Sequence, residues 1–136
     1  MDLFYEKCSQ HNLRMTPQRL EIFKVVLKAK DHPSADTLYK RVRKIFPNIS
    51  FDTVYRTLLS FSKIGIVNLV EGYGEEKRFD PNIYNHHHLR CIKCHKIVDF
   101  TCPEYDTIKI PREIKNKFTI TGKRVILEGL CTQCKR

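Results

Sequence analysis

Two pairs of cysteines constrain the fold of this chain more than any other feature of its sequence. Each pair has the spacing Cys-x-x-Cys, at Cys91 and Cys94 and again at Cys131 and Cys134. Two such pairs supply the four thiolates of a closed tetrahedral zinc site, with each sulfur about 2.3 Å from the metal. We therefore predict a structural zinc ion that ties the end of the chain to its middle, and a region that does not fold without it.

Other uses of these cysteines are two disulfides, a redox dithiol or a rubredoxin-like iron site. A duplicated Cys-x-x-Cys favours a metal over the first two, whereas four thiolates do not distinguish zinc from iron. The remaining cysteines, Cys8 and Cys102, are predicted to be buried small hydrophobic residues. The sequence shows no secretory signal and no run of about eighteen apolar residues, so we expect a cytoplasmic protein without a membrane segment.

Apolar residues at helical spacing predict three helices after a weaker helical segment, Leu3 to Leu13. Thr16 and Pro17 are typical of an N-cap and a first helical position, and Ser34 and Ser50 are placed to begin the next two helices. Pro47 is expected to end the second helix, and Gly65 to cap the third. The predicted buried stripes are, in order, Ile22, Val25, Val26 and Ala29; Leu38, Val42 and Ile45; and Val54, Leu58 and Phe61.

The pattern changes to strands after Gly65. Ile66 to Val70 is rich in β-branched residues, Glu71 to Glu75 contains two glycines and reads as a turn, and Lys77 to Phe79 is expected to return as a second strand. A helix-turn-helix followed by a hairpin is a winged helix, so the predicted fold class is α+β with an N-terminal winged helix.

A net charge of +10 indicates a polyanionic partner. In a winged helix the third helix enters the major groove of double-stranded DNA. Arg56 lies two residues, or about 200°, from Val54 and therefore points away from the core. Thr53 and Tyr55 flank it, and we predict that these three residues contact DNA. The alternatives are a solvated surface charge for Arg56 and half-buried packing for Tyr55.

Three consecutive histidines form a second candidate site. In a strand, His86 and His88 project from one face and His87 from the other. Asp80 and Asp99 lie nearby in sequence, and mixed His and carboxylate ligands suit Fe, Mn or Zn. Ordinary surface histidines are the alternative. A hydrolytic zinc site would make the protein an enzyme, but the chain lacks HExxH and an evident nucleophile.

Four segments, found in order along the chain, resemble the ferric uptake regulator family. They are Asp31 to Tyr39, Ser50 to Leu58, Lys77 to Asp80, and His86 to Cys94 followed by Ile97 to Phe100. The resemblance implies a homodimeric, metal-dependent, DNA-binding transcriptional repressor, with a winged helix over residues 1–81 and a small α/β dimerisation domain over residues 82–136. It also implies structural Zn²⁺ on the four paired cysteines and regulatory Fe²⁺ or Mn²⁺ on a further set of residues, namely His32, Asp80, His86, His88 and Asp99.

Two branches of this family are candidates. Asp99, completing three histidines and two aspartates, resembles the peroxide-sensing branch, whereas Tyr55 and Arg56 look more like the iron-uptake repressors. The expected function is therefore repression in response to peroxide, with an iron-availability repressor as the alternative. A metal-independent nucleic-acid module and a zinc enzyme remain open from the residues alone.

Overall fold

A computed structural model describes residues 2–71, 77–84 and 86–135 of the chain. The chain divides into two compact units, Met1–Ile83 and Tyr84–Arg136. Among the described residues each unit has its own sheet, with two strands in the first and three in the second. Helices and strands occur in both, so the predicted α+β class is confirmed.

The described part of the first unit contains four helices, three of which start at a residue that caps them. Thr16, Ser34 and Ser50 each accept a hydrogen bond at the side-chain oxygen from the backbone N–H three residues later, which satisfies a donor at the helix start. Gly65 follows the fourth helix with φ +83°, a conformation that favours glycine. The helices are α1 Asp2–Gln10, α2 Pro17–Lys28, α3 Ala35–Val42 and α4 Phe51–Lys63.

The core of the first unit lies among these helices and the strand that follows them. Ring stacking between Phe4 and Phe23, with centroids 4.2 Å apart, joins α1 to α2, and both rings contact Phe61 of α4 edge-on. The predicted stripe of α4 is confirmed, since its three members are fully buried. The stripe of α3 is correct only as far as Val42. Ile45 is 49% exposed because α3 ends at Val42, before that residue can face the core.

Strands β1 Asn68–Glu71 and β2 Lys77–Asp80 form the predicted antiparallel hairpin. Residues 72–75 of the predicted turn lie outside the described residues. The loop before α3 packs along β2, where Phe79 N–H donates to the Pro33 carbonyl at 3.0 Å and Arg78 Nε donates to the His32 carbonyl. His32 itself has φ +49°, a conformation uncommon outside glycine, and these contacts hold it there.

The second unit is built on a three-stranded sheet with the order β4-β3-β5. The strands are β3 His87–Cys91, β4 Ile97–Phe100 and β5 Ile126–Gly129. β3 pairs antiparallel with β4 and parallel with β5. The central strand therefore carries His87 and His88 at one end and Cys91 at the other.

Two short helices, α5 Pro103–Asp106 and α6 Arg112–Lys117, connect β4 to β5. Pro111 immediately precedes α6, where its fixed backbone angle is compatible with a helix start. Cys8 is buried as predicted, whereas Cys102 is only half-buried and donates from Sγ to Glu104 Oε2 at 3.0 Å, so the prediction for Cys102 is wrong. Within the described ranges, no helix is both long and apolar enough to cross a membrane.

Candidate metal centres and nucleic-acid interface

The four paired cysteines meet at one end of the sheet in the second unit. Their Sγ atoms all lie within 4.8 Å of one another. The Sγ atoms of Cys94 and Cys131 are 3.8 Å apart, which is about the edge length of a tetrahedron of sulfurs around zinc. Cys131 N–H also donates to Cys91 Sγ at 3.5 Å, joining the two pairs through the backbone. This donor set fits a structural zinc ion.

Hydrogen bonds shift two of the four thiols toward the thiolate form that binds metal. Backbone N–H groups of Cys94 and then Cys131 lower the pKa of the Cys91 thiol to about 5, and the Cys134 N–H lowers the pKa of Cys131. The hydrogen bond that Cys134 makes with the Cys131 sulfur raises the pKa of Cys134 to about 12. Four sulfurs this close cannot all ionise alone, and a divalent cation removes that obstacle by neutralising their charge.

His86 and His88 converge on a single carboxylate. Their Nε2 atoms lie 3.5 and 3.1 Å from Oδ1 of Asp99, and their rings are 4.7 Å apart between centroids. His86 Nδ1 lies 2.5 Å from the carbonyl oxygen of Tyr84, which can only accept, so Nδ1 carries the proton and Nε2 presents a lone pair. The sequence placed these two histidines on one face, and the structure brings them together there.

The first unit brings His32 and Asp80 together. His32 Nε2 lies 3.3 Å from Asp80 Oδ2, and both side chains are almost fully buried. The backbone N–H of Asn82 donates to the other carboxylate oxygen of Asp80 at 2.9 Å, which fixes its orientation. Metal ligands are often held in orientation by a further hydrogen bond from a group that does not touch the metal. The hydrogen bond from Asn82 to the Asp80 carboxylate is of this kind.

His87 is fully buried and makes a different set of contacts from its two neighbours. Its Nδ1 accepts from the backbone N–H of Val125 at 3.1 Å, so its Nε2 carries the proton and faces Asp106 Oδ1 at 2.9 Å. The rings of Phe100 and Tyr105 pack around it. Both ring nitrogens are therefore engaged in hydrogen bonds within the second unit, and these partners differ from those of His86 and His88.

The predicted DNA-contacting residues lie on α4 with different exposures. Arg56 is strongly exposed, with 79% of its side chain accessible, and Thr53 is also exposed. Tyr55 is half-buried and stacks on Phe51 at 5.8 Å between ring centroids. The guanidinium of Arg56 is thus accessible to a partner, whereas Tyr55 exposes only part of its ring.

A recess of about 280 Å³ lies between the start of α2 and the exposed side of α4. Arg19 and Arg56 stand at this recess, together with three threonine hydroxyls and one amide. Two guanidinium groups among neutral polar groups form a surface suited to phosphate or base edges. The lining residues are Thr16, Gln18, Arg19, Thr53, Arg56 and Thr57.

The sequence analysis did not predict the hydrogen bonds that hold the candidate ligands and His87 in position. Asp106 lies nineteen residues from His87 along the chain, and no local pattern links them. The Tyr84 carbonyl and the Asn82 N–H are backbone groups, whose contacts depend on chain path and not on residue type. Asp52 was missed too, although its spacing of four residues from Arg56 on a helix could have indicated the ion pair.

Comparison with known proteins gives a consistent result. Residues 10–128 match the sequence model of the ferric uptake regulator family. The chain is 39% identical over 123 residues to the peroxide-responsive repressor PerR of Staphylococcus epidermidis, an alignment that covers 90% of this chain and 82% of that protein.

Solved structures with similar folds include two bacterial regulators. The peroxide stress regulator of Campylobacter jejuni is 27% identical with a TM-score of 0.70, covering 96% of this chain and 98% of that one. The ferric uptake regulator Fur of Helicobacter pylori has a TM-score of 0.80 over 99% of this chain and 91% of its own, at 21% identity. The second match establishes similarity of fold alone.

Proposed function

Because the chain belongs to the ferric uptake regulator family, we propose that it is a metal-dependent transcriptional repressor that binds operator DNA and responds to peroxide. The observation that carries this proposal is the convergence of His86 and His88 on Asp99. The relatives named as peroxide-responsive repressors favour peroxide over iron availability as the signal.

The proposed regulatory ligands have the donor chemistry of a borderline divalent ion. Imidazole nitrogens and carboxylate oxygens suit Fe²⁺ and Mn²⁺, in contrast to the thiolates of the structural zinc site. Bound ferrous iron would supply the reduction of hydrogen peroxide, which manganese does not. Tyr84 and Asn82 hold His86 and Asp80, respectively, in position through backbone groups. The full proposed set is His32, Asp80, His86, His88 and Asp99.

For DNA, we propose that α4 is the recognition helix of the winged helix. Arg56 projects from the side of α4 opposite the buried Val54, and a guanidinium there can donate two hydrogen bonds to a guanine edge. Thr53 and Tyr55 lie on either side of it. Arg19, at the same recess, is placed for a phosphate contact, which orients a protein on DNA without reading sequence.

We further propose that the second unit forms a homodimer. Leu89, Val98 and Leu127 lie side by side across the three strands, and each is about two-fifths exposed. A sheet normally buries its apolar face against another layer, and a second copy of the chain supplies one. Four ligand thiolates require a compartment that keeps thiols reduced, which supports a cytoplasmic location.

Operator binding by one protein in several metal states tests the proposal. Zinc-replete protein stripped of its regulatory metal is titrated with Fe²⁺ or Mn²⁺ under anaerobic conditions, and binding to genomic DNA fragments is measured by electrophoretic mobility shift. We expect tight binding only in the metal-loaded states. Equal binding by the stripped protein would identify a metal-independent DNA-binding module instead, and turnover of a hydrolysable substrate would support a zinc enzyme.

A further inference from the structure

Arg56 is already engaged in an ion pair with a residue of its own helix. Its Nε lies 3.0 Å from Oδ2 of Asp52, one helical turn earlier. Both residues lie opposite the buried Val54, at about 160° and 200° around the helix axis, so the pair stands on the outermost ridge of α4. The side chain of Asp52 is 66% exposed and that of Arg56 is 79% exposed.

Stability of the helix accounts for an acidic residue at position 52 but not for its pairing with Arg56. Exposed pairs at this spacing contribute little to folding because water screens them. Asp52 is also in the first turn of α4, where a carboxylate is favoured by the helix dipole without any partner. On a surface proposed to meet DNA, a carboxylate brings a cost as well, since it repels phosphates. Its position next to Arg56 therefore calls for another explanation.

The geometry of the guanidinium supplies one. Arginine has one N–H at Nε and two at each Nη. A carboxylate that accepts from Nε restrains the rotation of the group and leaves the Nη edge, with its parallel N–H bonds, directed away from the pair. That edge matches the O6 and N7 acceptors of guanine. A restrained guanidinium loses less rotamer freedom on docking and tolerates a misplaced acceptor less well.

We propose that Asp52 is a positioning residue that orients Arg56 and thereby sets how strictly the protein discriminates guanine at one operator position. This inference rests on the proposed DNA-binding role of α4. Asp52 increases the discrimination between bases at that position and lowers the affinity for unrelated DNA, and the two effects can be measured separately. Removing it should therefore strengthen binding to unrelated DNA while weakening discrimination between bases.

The test uses full-length, manganese-loaded, zinc-replete protein and a duplex obtained by in vitro selection with the wild type. The position read by Arg56 is the guanine at which Arg56→Ala loses base preference. Fluorescence anisotropy then gives the ratio of Kd values for duplexes with A·T or G·C at that position. For Asp52→Ala we expect this ratio to fall by about threefold or more, because a bidentate contact of this type supplies most of the discrimination.

Two further variants separate positioning from charge. Asp52→Glu keeps a carboxylate within reach of Arg56 and should retain the wild-type ratio. Asp36→Ala removes the same charge from the first turn of α3, where Asp36 pairs with Lys40 at 3.0 Å and the same spacing, and it should leave the ratio unchanged. Melting curves followed by circular dichroism check that all variants fold.

If Asp52→Ala leaves the ratio of the two Kd values unchanged or increases it, the inference is overturned. It is also overturned if Asp36→Ala lowers that ratio by the same factor. A position-independent effect of Arg56→Ala would overturn it too, because Arg56 would then be a phosphate contact. Failure of the proposed function looks different: the metal-loaded wild type would select no DNA, and the inference would fall with it.

Discussion

Nε2 of His87 lies 2.9 Å from Oδ1 of Asp106, a residue of the short helix α5. This contact separates His87 from His86 and His88, whose Nε2 atoms face Asp99 on β4. Three consecutive histidines thus do two different jobs. The outer two face one carboxylate, where we propose that they bind the regulatory metal, and the middle one fastens α5 and the residue before β5 to the central strand.

Asp106→Ala is therefore expected to destabilise the second unit. It leaves the buried N–H of His87 without its carboxylate, at a cost of about 1 kcal/mol, near the lower end of the usual range because water can reach this partly exposed site. Urea unfolding of the metal-loaded protein measures the change, with the exposed Glu113→Ala as control. Loss of manganese binding at unchanged stability would instead make His87 and Asp106 ligands.

Replacing Cys91 or Cys134 with Ser should release zinc and unfold the second unit. The binding energy of the four thiolates is folding energy there, because the described residues of this unit form just a three-stranded sheet and two short helices. Zinc content by mass spectrometry and circular dichroism measure the two effects. Cys102→Ser, outside the cluster, is the matched control and should keep both metal and fold. A folded, zinc-free Cys91→Ser protein would refute the prediction.

Arg56→Ala should cost about 1–3 kcal/mol of binding at one base position and leave the fold intact. The side chain is mostly exposed, so its removal disturbs no packing. Competition with duplexes substituted at single positions measures the effect. Lys117→Ala, which removes the same charge from an exposed position of the second unit, is the control. A uniform loss across all sequences would show a phosphate contact.

Low peroxide should abolish DNA binding by the iron-loaded protein and leave the manganese-loaded protein active. The physical reason is that ferrous iron can reduce peroxide and generate an oxidant next to its own ligands. Peptide mass spectrometry should find one added oxygen atom on a peptide containing His32 or His86. Oxidation confined to the paired cysteines would make the thiolates the sensor. Iron-loaded protein that keeps its operator and its histidines unmodified would point to an iron-availability repressor.

Local features of the structure were predictable because local forces produce them. Thr16 and Ser50 begin helices through hydrogen bonds that span three residues, and Gly65 ends one because its backbone angle excludes most side chains. The alternation of a strand likewise placed His87 opposite its neighbours. The α3 helix shows where this reasoning fails: Ile45 fits the helical period, yet the chain leaves the helix at Val42.

By itself the sequence determined the ligand types, the helix starts, the winged-helix order and the outward direction of Arg56, all of which depend on residues a few positions apart. Only the tertiary structure decided which partners meet across long separations. In the tertiary structure β3 pairs in parallel with β5, and the Sγ atoms of Cys94 and Cys131 come within 3.8 Å. His87 forms its hydrogen bond with Asp106 in the same way. The reason is that such contacts depend on how the whole sheet packs, and the spacing of residue types along the chain does not indicate which distant residues will meet.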